Sequence, residues 1–122
     1  MKIIAPRLHG IIDYVLVLFL LLSPTLFNMD NLLASFTYSL GIVHLLITIC
    51  TSFSMGFFKL IPFPAHGLIE LVVGVALIIV AYTLFRTSET GNLFYTALGS
   101  AILLVWLLSD YTTIQTSNLV RQ

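Results

Sequence analysis

Four long apolar stretches constrain this chain more strongly than any other feature of its sequence. They cover approximately residues 8–27, 32–51, 65–85 and 92–111. A helix rises about 1.5 Å per residue and the hydrocarbon core of a bilayer is about 30 Å thick, so a membrane-spanning helix needs about 20 apolar residues. Each stretch meets this requirement. The sequence therefore predicts an integral membrane protein with four transmembrane helices that contact the lipid bilayer.

Charged side chains are too scarce to cover the surface of a soluble protein. They make up 8% of the 122 residues and the formal net charge is zero, whereas soluble domains carry about 25% charged residues. This composition excludes a soluble enzyme, and the lack of a basic patch excludes a nucleic-acid-binding protein. The single cysteine, Cys50, excludes an internal disulfide, a Cys-x-x-Cys redox pair and a zinc–thiolate cluster.

The connections between the stretches are short, which favours two helical hairpins. Residues 28–31 form a polar turn in which Asp30 or Asn31 is the candidate N-cap of the second helix. A second short polar segment connects the last two helices, and the longer segment 52–64 connects the two hairpins. We therefore expect an all-α four-helix bundle that forms a single membrane domain over residues 1–122.

The distribution of cations predicts the orientation of the bundle. With four spans, Lys2, Arg7, Lys59 and Arg121 share one side of the membrane, and Arg86 lies on the other side. Lysine and arginine are enriched in cytoplasmic loops. We therefore expect the N- and C-termini to be cytoplasmic.

The two halves of the chain repeat each other at a spacing of 57 residues. This spacing pairs a histidine, a glycine and a carboxylate of each half: His9 with His66, Gly10 with Gly67, and Asp13 with Glu70. One further residue between the spans raises the spacing to 58, so that Gly41 pairs with Gly99. Each half, about 2–53 and about 59–111, holds two spans, so both copies run in the same direction. The pattern predicts two parallel two-span hairpin repeats.

Five ionisable side chains are expected in the cytoplasmic half of the membrane: His9, Asp13, His44, His66 and Glu70. In each repeat a histidine and a carboxylate are four residues apart, which places them on one helix face. Ionisable groups inside a span are costly and mark candidate sites. His44 pairs with Ile102 in the repeat, so a specialised site should be built around His44.

Three interpretations of this cluster stay open. In a structural one, the carboxylates pair with the histidines or with nearby cations and lock the hairpins together. In the second, the cluster binds a divalent metal ion such as zinc, or passes protons, because imidazole titrates near neutral pH. In the third, two histidines hold a haem across the bundle, and Gly10, Gly41 and Gly67 leave room for its flat ring.

Several short motifs resemble those of the SPW-repeat family of small bacterial integral membrane proteins. The segment 7–14, with His9-Gly10 and Asp13-Tyr14, is followed after an apolar stretch by Ser23-Pro24-Thr25. The segments 59–66 and 109–111 resemble the family's linker and its span-ending motif. Thr25 stands where the family has tryptophan, and the second copy has Val80-Ala81-Tyr82 where the motif should recur. The resemblance implies a bacterial inner-membrane protein and the repeat architecture, but no activity, cofactor or catalytic residue.

The sequence contains no Ser-His-Asp set, phosphate-binding loop or nucleotide motif. We therefore expect a protein that is not an enzyme, has no catalytic residues and needs no cofactor. The favoured hypothesis is a scaffold or interaction protein that pairs with a second copy, through its glycine and alanine faces, or with another membrane protein. The alternative is a metal- or proton-binding membrane protein, with haem as the third candidate ligand.

Overall fold

The computed structural model describes residues 2–111 of the chain. Four α-helices make up most of this part: α1 (Pro6–Leu26), α2 (Asn31–Ile49), α3 (Phe63–Tyr82) and α4 (Glu89–Leu108). Two strands of two residues, β1 (Thr51–Ser52) and β2 (Ile61–Pro62), lie between α2 and α3 and pair in parallel. All four helices are long and apolar enough to cross a membrane, which confirms the prediction of a multi-pass helical membrane protein. Arg121, used above to predict orientation, lies outside the described residues.

Capping groups, rather than the limits of the apolar stretches, set where two of the helices begin. The Asp30 carboxylate accepts a hydrogen bond from the backbone N–H of Leu33 at 2.9 Å, so Asp30 is the N-cap of α2. The Ser88 hydroxyl accepts one from the N–H of Gly91 at 3.0 Å. Helix α4 therefore begins at Glu89, three residues before the predicted start, and ends at Leu108 instead of residue 111.

Each hairpin is held together by close packing along its two helices. Helix α1 packs along α2, and α3 packs along α4. A Cβ atom added to Gly99 would lie 2.7 Å from the carbonyl oxygen of Gly74, and a backbone atom cannot move aside as a side chain can. The glycines of the helices are buried within the chain, whereas Ala97 and Ala101 are exposed. The glycine faces are therefore used for packing inside one chain, and contact between copies stays a prediction.

An apolar core joins the hairpins at the end of the bundle that carries the two short polar turns. The hydroxyl oxygens of Thr37 and Tyr95 lie 2.6 Å apart in this core. The Phe36 ring packs edge-to-face against Tyr95 and Phe85, with ring centroids 5.1 and 5.5 Å apart. The buried members are Leu20, Leu33, Leu77, Ala81, Phe85, Tyr95, Leu98 and Ile102.

Backbone hydrogen bonds join the hairpins at the opposite end. The N–H groups of Ile3 and Ile4 both donate to the carbonyl oxygen of Leu108 at 2.9 Å. The N–H groups of Leu60 and Ile61 both donate to the carbonyl oxygen of Cys50 at 2.8 Å. The start of α1 is therefore tied to the end of α4, and the start of α3 to the end of α2. These ties bring the first turns of α1 and α3, which carry the two helix-entry histidines, beside each other.

Candidate metal centre

Two helices each contribute a histidine and a carboxylate to a buried cluster. His9 and Asp13 lie one turn apart on α1, and His66 and Glu70 lie one turn apart on α3. All four are buried, with exposed fractions of 0% for both histidines, 1% for Asp13 and 6% for Glu70. The apolar remainder of each helix faces outward or packs within its hairpin. The helical spacing therefore aims four polar groups at one another across the hairpin boundary.

Four side-chain atoms converge on a single point in this cluster. His9 Nε2 lies 3.1 Å from Glu70 Oε1 and 3.4 Å from Asp13 Oδ2. His66 Nε2 lies 3.1 Å from Asp13 Oδ2 and 3.5 Å from Glu70 Oε1. One ligand atom from each residue lies within 4.8 Å of all the others. Tetrahedral zinc, with bonds of about 2.0–2.2 Å, separates its ligand atoms by about 3.3–3.6 Å, and the four distances of 3.1–3.5 Å lie close to this range.

Hydroxyl groups orient both imidazole rings. His9 Nδ1 lies 2.7 Å from the Ser109 hydroxyl, and that hydroxyl donates to the carbonyl oxygen four residues earlier at 2.6 Å. His66 Nδ1 lies 2.8 Å from the Thr51 hydroxyl, which makes the same backbone bond at 2.6 Å. Because each hydroxyl proton is already donated, each hydroxyl oxygen accepts from an Nδ1–H group. Both Nε2 atoms therefore face the carboxylates.

This orientation requires positive charge at the centre of the cluster. Neutral rings with Nδ1–H groups direct their Nε2 lone pairs at carboxylate oxygens, which repel them. Either a proton on each Nε2 or one divalent ion among the four atoms removes the repulsion and balances the two carboxylates. Among residues 2–111, Asp13 Oδ2 and His66 Nε2 form no hydrogen bond despite their proximity.

Tyr111 holds the second oxygen of Glu70. Its hydroxyl donates to Glu70 Oε2 at 2.5 Å. The ring lies against Gly67, where an added Cβ would approach it to 2.9 Å, so glycine leaves the space that the tyrosine fills. Burial and the charge of Glu70 raise the pKa of Tyr111 above its ordinary value. The hydroxyl therefore stays protonated and remains a donor to Glu70.

His44, around which the sequence predicted a specialised site, lies at the side of the four converging atoms. Its Nε2 is 3.5 Å from Asp13 Oδ1, the carboxylate oxygen that faces away from His9 and His66. Its ring centroid is 6.5 Å from that of His66, and its side chain is 12% exposed. The structure thus brings all five predicted residues together. His44 lies outside the group formed by His9, Asp13, His66 and Glu70.

Sequence reasoning missed the three hydroxyl groups that orient the cluster. Thr51 and Ser109 are 58 residues apart, the spacing that pairs Gly41 with Gly99. Extending the repeat alignment past the helix ends would have paired them. Tyr111 carries no such signal, because phenylalanine stands at position 53, its counterpart at the same spacing.

The space around the cluster is small. The two cavities lined by Glu70 and its neighbours in the described part of the chain measure about 30 and 80 Å³. Sites for large organic ligands usually measure about 300–1,000 Å³. The geometry therefore favours a proton or a single metal ion over the haem that the sequence left open.

No protein-family model, curated protein or solved structure matches the chain. The resemblance to the SPW-repeat proteins therefore stays a prediction that depends on the motifs quoted above. The chemistry of the cluster has to be argued from its own geometry.

The hydroxyl contacts lead to a stability prediction. In Ser109→Ala the Nδ1–H of His9 loses its acceptor, and an unsatisfied buried donor costs about 1–3 kcal/mol. The free energy of unfolding should fall by that amount, and Thr51→Val should act in the same way through His66. Unfolding in mixed detergent micelles measures both changes.

The matched control for this pair is Thr83→Val. The Thr83 hydroxyl donates to the carbonyl oxygen four residues earlier at 2.8 Å, as the Thr51 and Ser109 hydroxyls do, but it is exposed. Its loss should change the free energy of unfolding by about 0.5 kcal/mol or less. Equal losses in all three variants would show that the hydroxyls act only through their helix bonds.

The raised pKa of Tyr111 leads to a pH prediction. The folded state keeps this hydroxyl protonated at a pH where the unfolded chain, with an ordinary tyrosine pKa of about 10, ionises. Its contribution to stability is therefore present below about pH 10 and is lost as the pH rises further. In near-ultraviolet absorbance titrations, Tyr111→Phe should remove only the most alkaline phase of phenolate formation. Loss of a phase near pH 10 would be incompatible with this geometry.

Proposed function

We propose that this chain is a membrane metal-binding protein in which His9, Asp13, His66 and Glu70 hold one divalent transition-metal ion. The observation that carries this proposal is the convergence of two Nε2 atoms and two carboxylate oxygens while both Nδ1 atoms are bound elsewhere. An outer acceptor on the second ring nitrogen is the usual companion of a metal-binding histidine. Here each histidine has one.

The donor set favours zinc over other common ions. Two imidazole nitrogens and two carboxylate oxygens suit a borderline ion with tetrahedral geometry. Calcium takes six to eight oxygen ligands and magnesium takes an octahedral oxygen-rich shell, and neither matches two nitrogens among four atoms. With four protein ligands the zinc has no open position for a substrate, as in structural zinc sites. This supports a role other than catalysis.

The metal would also serve the scaffold role that the sequence favoured. Its four ligands come from both hairpins, so one ion joins α1 to α3 in the membrane, where apolar packing between helices supplies little specificity. If each Nε2 carried a proton instead, the same four side chains would also join α1 to α3, but more weakly. We therefore propose a small non-enzymatic scaffold, stabilised by metal, whose partner is a second copy or another membrane protein.

We further propose that the two hairpins are duplicated, parallel repeats. Thr37 and Tyr95, paired at the spacing of 58, contact each other, as residues on a two-fold axis do. The backbone bonds to the Leu108 and Cys50 carbonyl oxygens also correspond at the repeat spacings. The buried positions of α1 and α3 correspond as well, from His9 and His66 onward. These contacts of one hairpin are thus matched by the other.

In the same proposal, the cluster lies on the cytoplasmic side of a bacterial inner membrane. Lys2 and Lys59 both donate to backbone carbonyl oxygens at the cluster end of the bundle, whereas Arg86 follows the opposite end of α3. Cations favour the cytoplasmic side.

Cysteine labelling tests this topology in a Cys50→Ser background. Single cysteines at positions 2 and 59 should react with a membrane-impermeant maleimide only after the cytoplasmic face is exposed. A cysteine at position 86 should react in intact cells or spheroplasts. Labelling of positions 2 and 59 from opposite sides would refute parallel hairpins.

Metal analysis tests the central proposal. Protein purified in detergent without chelators should contain about one zinc per chain by mass spectrometry. Zinc binding to the metal-free protein should release protons from the two Nε2 atoms, so that affinity rises with pH. Glu70→Gln removes a ligand. Loss of a hydrogen-bonding partner of a ligand costs about 10–100-fold in metal affinity, so this variant should weaken zinc binding by more than that.

Glu89→Gln is the matched control, because Glu89 is a carboxylate at the other end of the bundle. It should leave the zinc content unchanged. A folded wild-type protein that binds no divalent transition metal would contradict the metal proposal and leave the protonated scaffold. Equal effects of the two variants would show that zinc binds carboxylates nonspecifically.

A further inference from the structure

The two carboxylates of the cluster differ in what holds their outer oxygens. Glu70 Oε2 accepts a hydrogen bond from the Tyr111 hydroxyl. Asp13 Oδ1 instead faces His44 Nε2 at 3.5 Å, and that nitrogen has no hydrogen-bond partner among residues 2–111. Position 53, the counterpart of Tyr111 in the repeat, is phenylalanine and has no hydroxyl to donate. The outer oxygen of Glu70 is therefore held by a hydroxyl donor, whereas the outer oxygen of Asp13 faces an imidazole at 3.5 Å.

Two crevices reach the cluster from the sides of the bundle. One lies between α2 and α3, is lined by His44, His66 and Glu70, and measures about 30 Å³, close to the volume of one water molecule in the liquid. The other lies between α1 and α4, measures about 80 Å³ and is lined by Asp13 and Glu70, and Ile102 lines both crevices. Ile102 is the repeat counterpart of His44. Only the first crevice therefore offers an imidazole to an approaching cation.

Aromatic rings close the route along the bundle axis. Phe63 packs edge-to-face on His9, stacks on Phe53 and contacts Tyr111, with ring centroids 5.3, 5.2 and 4.8 Å apart. Phe53 and Phe63 are each 1% exposed. An ion coming directly from the end of the bundle would have to displace these three rings. Neither side crevice is lined by these three rings.

His44 is placed to meet an ion near the membrane surface. It lies five residues before the end of α2 at Ile49, which corresponds to about 7.5 Å along the helix. Its side chain is 12% exposed, so the imidazole lines the crevice and also reaches its mouth.

We propose that His44 is the access ligand of the metal centre, through which the ion passes in and out. This inference rests on the metal-binding function proposed above. The incoming ion binds His44 Nε2 together with Asp13 Oδ1. It then moves around the same carboxylate to Oδ2, where His9, His66 and Glu70 complete its coordination. Asp13 holds the ion at both stages, which avoids a bare ion in the low-dielectric interior.

The access role concerns rates, so it is tested by exchange kinetics. Wild-type protein in nanodiscs is loaded with one equivalent of zinc, and exchange with isotopically labelled zinc is followed by mass spectrometry. His44→Ile replaces the imidazole with the residue that stands at its repeat counterpart, position 102. It should slow exchange by about tenfold or more while the stoichiometry stays at one zinc per chain. His44→Gln, which keeps a polar side chain but binds zinc poorly, is the second variant should the isoleucine variant not fold.

Ile102→His is the matched control, because it adds an imidazole at the repeat counterpart of His44, a position that lines both crevices. In a His44→Ile background it should restore part of the lost exchange rate. Exchange at the wild-type rate in a folded His44 variant would overturn the access role. Loss of the bound zinc in that variant would also overturn it, by showing that His44 is a resident ligand. A wild-type protein that holds no zinc would instead refute the metal-binding function itself.

Discussion

The balance of charge among two buried carboxylates and two imidazoles governs the arrangement of this protein. Asp13 and Glu70 are buried, and an isolated ionised carboxylate in an apolar interior is very costly. Because Ser109 and Thr51 hold the Nδ1 atoms of His9 and His66, the second nitrogens turn toward the carboxylates. The cluster is stable only with protons or a metal ion between these atoms, and that requirement gives the site its chemistry.

The backbone ties at the bundle end serve the same cluster. Ile4 lies alongside Ser109 in a parallel bridge, and Thr51 pairs with Ile61 in the same way. Each tie therefore delivers a hydroxyl group from the end of one hairpin to the histidine at the start of the other. The contacts that close the bundle and the contacts that orient the imidazoles involve the same residues, so fold and site depend on each other.

The departures from the repeat lie where the proposed function needs them. Tyr111 has a hydroxyl that its counterpart at position 53 lacks, and His44 stands opposite Ile102. The first difference closes the outer side of Glu70, and the second places an imidazole beside Asp13. Each hairpin supplies two of the four converging ligands, and the differences between the two halves of the chain make the two sides of the cluster unequal.

The sequence by itself determined the class of the protein and the members of the cluster. Helix length and hydropathy require four spans, and the spacing of four residues places His9 with Asp13 and His66 with Glu70 on helix faces. Only the tertiary structure decided which atoms meet, because contact between α1 and α3 depends on how two hairpins pack and not on any local pattern. It moved His44 to the side of the centre and revealed Ser109, Thr51 and Tyr111, which lie far from their partners along the chain. Helical periodicity relates residues that are one or two turns apart, whereas these hydrogen bonds join residues that only the closed bundle brings together.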